Sequence, residues 1–275
     1  MSEIDTAKHA PGPVTLRTLA EMKRAGEKIA CLTAYDASFA AALESAGVEV
    51  LLVGDSLGMV VQGYDSTLPV TLDAMVHHAA AVARGSSRAL RVVDFPFMSY
   101  GTPARALDSA ARLMKEGGAQ VVKLEGGRAQ VEVVRHLTER GVPVCAHLGL
   151  LPQSVHKLGG YRVQARDPAA AQRLREDARA LEEAGAGMLV LECIPAALAA
   201  EVSHALQIPV IGIGAGVDCD GQVLVLYDLL GLTPGKRPRF AQDFLAEAPG
   251  IEGAVAAYVE AVKSRRFPDP AHTFQ

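Results

Sequence analysis

The sequence predicts an α/β protein folded as a (β/α)8 (TIM) barrel, with an extra helix ahead of the first strand. Three observations carry the prediction. Val-, Ile- and Leu-rich runs of strand length recur without polar alternation, as in parallel sheets buried on both faces. Helical patterns lie between them, and strand and helix alternate at intervals of about 22 to 45 residues through seven or eight units. That rhythm fits a closed barrel more readily than an open doubly wound sheet. Five successive runs also end in a polar side chain: Asp55, Asp94, Glu125, His147 and Glu192. The carboxyl ends of parallel strands are the edge where α/β folds place their chemistry.

The elements follow in chain order. Residues 1–14 mix charges and prolines without the apolar centre of a signal peptide, and read as a loose leader. Residues 15–275 read as one catalytic domain, close to the about 250 residues such a barrel takes. Thr15 caps a helix running to about Ala25, with Leu16, Leu19, Ala20 and Met22 on one side, placed to plug the barrel bottom. The first strand is 29–34, and the helix over 38–46 is closed by Gly47. Strand 50–53 stops at Gly54-Asp55-Ser56, and a loop over 58–70 precedes a helix opened by Thr71. Strand 91–94 leads to Thr102-Pro103, an N-cap followed by proline at the first helical position. Strand 121–125, a helix over 129–140 and strand 142–147 continue the pattern.

Then the rhythm breaks. About twenty residues separate His147 from the next helix start at Asp167-Pro168. Structureless loops this long are usually functional or disordered, and the glycines and hydrogen-bonding residues here favour a lid or binding loop. A helix over 168–183, strand 188–192, a helix over 195–206 and strand 208–213 with its glycine turn follow. Residues 222–229 are a short strand or a helix, and 254–263 is a terminal helix.

Bulk composition excludes several function classes. Charged residues are 21% of the chain and the net charge is −4, so no basic surface awaits nucleic acid or an acidic membrane. No uninterrupted apolar run nears the roughly 18 residues of a membrane span, and the cytoplasm is the expected location. Cys31, Cys145, Cys193 and Cys219 form no Cys-x-x-Cys pair, and read as buried, reduced thiols. Neither a nucleotide-binding Gly-x-x-x-x-Gly-Lys-Ser/Thr loop nor a Gly-x-Ser-x-Gly elbow occurs.

The strand ends carry the candidate chemistry. A hard cation such as Mg²⁺ takes oxygen ligands and is often held by one or two carboxylates, with water and substrate completing the shell. Asp55, Asp94 and Glu125, on consecutive strands, are candidate metal ligands. Any one alone reads as a helix cap or a lysine partner; three in succession favour a site. Lys123 alternates with Glu125 and so shares its face. It is a candidate for holding a substrate carboxylate or carbonyl, or else an ion-pair partner of Glu125 or Asp94. Glu192 follows four apolar residues, a setting that raises a carboxyl pKa and suits a general base, with helix capping as the alternative. His147 is a donor to substrate, an orienting residue or a satisfied core histidine. Gly212-Ile213-Gly214-Ala215-Gly216 is like the turns that cradle phosphates in many barrels, a weak signal on its own.

Several stretches taken together resemble the ketopantoate hydroxymethyltransferase family. They are Leu32-Thr33-Ala34-Tyr35-Asp36, Val53-Gly54-Asp55-Ser56-Leu57-Gly58-Met59, Lys123-Leu124-Glu125-Gly126-Gly127, Pro143-Val144-Cys145-Ala146-His147, Gly159-Gly160-Tyr161-Arg162-Val163-Gln164 and Leu189-Val190-Leu191-Glu192-Cys193. The likeness runs from about Thr15 to the C-terminus. It implies a (β/α)8 barrel assembling as a homodecamer. It also implies transfer of a one-carbon unit from 5,10-methylenetetrahydrofolate to 3-methyl-2-oxobutanoate, giving 2-dehydropantoate on the route to coenzyme A. Carried over by position, Asp55, Asp94 and Glu125 would bind Mg²⁺. Asp55, Ser56, Asp94 and Lys123 would contact substrate, and Glu192 would accept the proton, with His147 in the pocket. An alternative enzyme, a lyase of the phosphoenolpyruvate mutase and isocitrate lyase kind, commonly carries a Lys-Lys-Cys-Gly-His loop, which this sequence lacks. A non-catalytic barrel that only binds an acid would need no proton acceptor.

Overall fold

The computed structural model of the chain describes residues 12–233, 235 and 237–275. In order the elements are α1 (Leu16–Ala25), β1 (Ile29–Thr33), α2 (Ala37–Ser45), β2 (Val50–Val53), α3 (Leu57–Val60), α4 (Leu72–Gly85), β3 (Leu90–Asp94), α5 (Pro103–Lys115), β4 (Val121–Glu125), α6 (Val131–Thr138) and β5 (Val144–Gly149). There follow α7 (Val155–Leu158), α8 (Pro168–Glu183), β6 (Met188–Glu192), α9 (Ala196–Ala205), β7 (Val210–Ile213), β8 (Gly221–Leu224), α10 (Leu226–Leu229) and α11 (Ile251–Lys263). The eight strands pair in sequence order, all parallel, and β8 returns to β1 to close the barrel.

Strand alternation sorts the core into two layers. Ile29, Cys31, Val50, Val92, Val121, Cys145, Met188, Val190, Ile211 and Val223 fill the barrel interior. Their neighbours, among them Leu32, Leu51, Val93, Val122, Ala146, Leu189 and Leu191, face outward and pack under the helices. This two-sided burial is why the strands read as unbroken apolar runs.

The N-terminal helix closes the bottom. Thr15 caps α1 in a capping box with Thr18, and Leu16, Leu19 and Met22 pack on the interior cluster. A Cβ at Gly187, just before β6, would lie 2.6 Å from Leu16. Residues 1–11 of the expected leader lie outside the described residues; Val14 is buried, and its amide donates to Arg88 O at 2.7 Å. The seam between β1 and β8 is clasped by α11, whose Tyr258 hydroxyl lies 2.9 Å from Cys31 O and 2.8 Å from Gln222 O.

Three details differ from the sequence reading. The stretch 222–229 holds both alternatives, the end of β8 and then α10. The helix expected over 129–140 begins as a 3-10 turn at Arg128–Gln130 before α6. The long stretch after β5 is partly ordered by a 3-10 turn, Pro152–Ser154, and by α7. Among the described residues no helix is long and apolar enough to cross a membrane. All four cysteines are free and buried.

Candidate active site

Four of the predicted site residues are the top inward positions of their strands. Leu90, Val92 and Asp94 share one face of β3, and Val121, Lys123 and Glu125 share one face of β4. Cys145 and His147 do so on β5, and Met188, Val190 and Glu192 on β6. The lower members are apolar and fill the barrel. The upper ones, Asp94, Lys123, Glu125, His147 and Glu192, line a cavity of about 590 Å³ above it. Asp55 joins them from the turn after β2. Ser56 lines the same cavity, and its Oγ lies 2.9 Å from the hydroxyl of buried Tyr35.

The strand registers bring specific pairs together. Asp94 stands opposite Lys123, with Oδ1 2.8 Å from Nζ. Glu125 stands opposite His147, with Oε1 3.7 Å from Nδ1. Nε2 of the same imidazole lies 3.2 Å from Glu192 Oε2. The imidazole thus stands between two carboxylates, one deep in the barrel and one at the mouth. Burial and Lys123 oppose the charged imidazole, but Glu125 and Glu192 outweigh them and leave its pKa above the ordinary histidine value. Burial also opposes the Lys123 ammonium; Asp94, Glu125 and Asp55 outweigh it and keep this lysine firmly protonated.

Asp55 is the strained member of the set. Burial first, and then the Asp94 and Glu125 carboxylates, push its pKa well above the usual carboxylate range. Three buried carboxylates surround one buried ammonium, so like charges crowd the site. Among the described residues, no three His, Cys, Asp or Glu side chains stand in ready-made metal-binding geometry. The donor set nevertheless fits a hard cation of the Mg²⁺ kind. All three acids offer oxygen, and a divalent charge would offset the repulsion at Asp55.

Gln153 is the polar residue that sequence reasoning missed. Its side-chain amide donates to Asp55 Oδ2 and to Phe95 O, each at 2.8 Å, and its backbone amide donates to Glu125 Oε2 at 3.0 Å. Its carbonyl oxygen accepts from Tyr100 at 2.5 Å. One residue of the long loop thereby holds two of the three acids. The available signal was the loop itself, since Pro152-Gln153 follows β5 too closely to leave the barrel mouth. The glycine turn after β7 differs from a phosphate cradle: Gly214 is covered by Phe240 and Phe274.

A family model described as ketopantoate hydroxymethyltransferase matches residues 13–270. The chain belongs to the ketopantoate hydroxymethyltransferase family. The 3-methyl-2-oxobutanoate hydroxymethyltransferase of Nitrosococcus oceani is 64% identical over 257 residues, covering 94% of this chain and 97% of its own. The namesake of Halorhodospira halophila is 57% identical over 275 residues, the full length of both chains. Membership of this family makes the protein an enzyme, a transferase. Among solved structures, a phosphonopyruvate hydrolase complexed with oxalate and Mg²⁺ matches with a TM-score of 0.59 and 13% identity, covering 76% of this chain and 80% of that one. A phosphonomutase-like protein from Burkholderia cenocepacia matches with a TM-score of 0.61 and 18% identity, covering 78% and 94%. These likenesses are of fold alone.

Proposed function

We propose that the protein transfers a hydroxymethyl group from 5,10-methylenetetrahydrofolate to 3-methyl-2-oxobutanoate, giving 2-dehydropantoate for pantothenate and coenzyme A synthesis. In this reaction the C3–H bond of the oxo acid breaks and a C–C bond to the one-carbon unit forms. Water supplies the hydroxyl oxygen and tetrahydrofolate departs. Asp55, Asp94 and Glu125 would hold Mg²⁺, which when bound supplies Lewis-acid polarisation of the oxo acid. The residues of the chain do the rest. Asp55, Ser56 and Asp94 orient the oxo acid, and Lys123 adds fixed positive charge where negative charge develops. Glu192 Oε2 takes the C3 proton, and His147, 3.2 Å away, orients that carboxylate. The loop holding Gln153 covers the reactants and excludes water.

What most supports this reading is one juxtaposition. Among the described residues Glu192 is paired with no lysine or arginine, and it shares a cavity with the Asp94–Lys123 pair and two further acids. That is an acceptor for a proton beside a site for an anionic, chelating substrate. An assay of purified protein with Mg²⁺, donor and oxo acid tests it, and absence of 2-dehydropantoate would refute it. We further propose a cytoplasmic homodecamer, for which sedimentation equilibrium is the test; a monomer would refute it.

A further inference from the structure

The acids, Lys123 and His147 occupy one side of the cavity, on and after β2 to β6. Beyond β7 and β8 the wall comes from another part of the chain. Phe240 and Phe274 pack on Gly214 of the glycine turn, where a Cβ would lie 3.1 and 3.0 Å from their rings, and where φ is +60°. The C-terminal segment is tied into this position. Ala196 N donates to Phe274 O at 3.0 Å, and Arg239 Nε donates to Ala271 O at 3.1 Å. The Arg239 guanidinium lies 5.6 Å from the centre of the Phe274 ring. These contacts pin residues 271–274 at the mouth of the site.

Two guanidiniums on this wall have no acidic partner among the described residues. Arg162 and Arg239 line the cavity, and among the described residues neither forms an ion pair; Arg237 beside them is held by Asp243 at 2.9 Å. Tyr161 adds a third ring, half exposed. A five-carbon oxo acid has one carboxylate and no ring, too little to engage two guanidiniums and two or three aromatic faces. The volume of the cavity is that of sites for ligands several times larger, about 300–1,000 Å³. Glu192 stands opposite Ile213 in the β6–β7 register, one residue before the Gly214 on which both rings pack, so whatever the wall holds lies beside the proposed base.

We propose that Phe240 and Phe274 form the subsite for the ring system of the reduced-folate donor, and that Arg162 and Arg239 receive its glutamyl carboxylates. This assignment rests on the reading of the site as a folate-dependent transferase. Under it the glycine turn serves aromatic packing: small residues at 214 and 216 let the C-terminal segment approach close enough to present Phe274.

The test uses Phe274→Ala and Arg239→Gln in the full chain, with Phe274→Leu as a variant that keeps apolar packing on Gly214. Tetrahydrofolate binding is read by calorimetry, and exchange of the C3 hydrogen of 3-methyl-2-oxobutanoate into D₂O is read without folate. Loss of a stacking ring should weaken tetrahydrofolate binding and raise the KM for the donor by about tenfold or more. Arg239→Gln should do the same, less so for tetrahydropteroate, which lacks the glutamate. Folate-free exchange and the KM for the oxo acid should persist in every variant. Unchanged donor affinity in Phe274→Ala and Arg239→Gln would overturn the assignment. So would exchange falling in step with donor binding, because the wall would then only support the barrel mouth. A wild-type protein that binds tetrahydrofolate but neither exchanges nor turns over would refute the transferase reading and leave the subsite standing.

Discussion

Asp94 and Lys123 face each other across the β3–β4 register, with Oδ1 and Nζ 2.8 Å apart and both side chains buried. Desolvating both charges costs several kcal/mol, and such pairs are often no more stable than apolar replacements. The pair therefore makes better sense as a working part of the site than as a stabiliser. It also balances only one of three neighbouring acids, leaving Asp55 and Glu125 as excess negative charge.

Asp94→Ala removes one candidate oxygen donor and strands the Lys123 ammonium. Mg²⁺ and oxo-acid affinities, measured by calorimetry, should fall together and by more than the about 10–100-fold that loss of an outer-shell partner costs. If both affinities stay at wild-type level, the metal assignment fails.

Gln153→Ala leaves Asp55 Oδ2 and the Tyr100 hydroxyl without their present partners. Orphaned buried polar groups cost about 1–3 kcal/mol each, so the thermal midpoint should drop by several degrees and turnover should fall with it. A wild-type melting curve would show that Gln153 does not organise the acids.

Gly149 ends β5 at φ +96°, and a Cβ there would lie 2.1 Å from the carbonyl oxygen of Glu192. The same carbonyl accepts from Leu150 N at 2.8 Å. Gly149→Ala should destabilise the fold by on the order of 2 kcal/mol through backbone strain and displacement. It should also depress kcat more than the KM for the oxo acid, because it is the β6 end carrying Glu192 that moves. Steady-state kinetics alongside chemical denaturation reads both effects; equal kcat in the two proteins would contradict the link.

Glu44 of α2 staples the segment leading into β3. Its carboxylate accepts from the Ser86 hydroxyl at 2.6 Å and from the amides of Ser87, Arg88 and Ala89. Partial burial opposes ionisation, but these bonds prevail and hold the pKa at about 2. A depressed folded-state value gives stability that is present above the unfolded value, about 4.5, and lost as pH falls through about 2. After allowance for solvent screening, Glu44→Gln should cost about 1–2 kcal/mol at pH 7. The gap to wild type should narrow as pH falls from 4.5 towards 2, and a gap independent of pH in urea titrations would contradict it.

The barrel was legible because the strands are buried on both faces, which writes Val50–Val53 or 188–191 as a continuous apolar run. The polar ends were legible for the same reason: a charged side chain closing such a run must face the interior or the mouth. Gln153 was not legible, because its role depends on how Pro152–Ser154 turns back over Asp55 and Glu125. Nor was the wall at Phe240 and Phe274, which are remote in sequence and meet only because Gly214 and the pinned C-terminal segment bring them together. Glu192 was expected in an apolar setting; its Oε2 lies 3.2 Å from His147 Nε2, a contact set by strand order that no local pattern encodes.

Proton removal by Glu192 is the central claim, and hydrogen exchange at C3 of 3-methyl-2-oxobutanoate, followed by proton NMR in D₂O with Mg²⁺ and no folate, tests it most directly. The wild-type protein should exchange this hydrogen, and Glu192→Gln should do so about 10²–10⁴ times more slowly while still binding the oxo acid. Exchange at the wild-type rate in Glu192→Gln would remove Glu192 from that role.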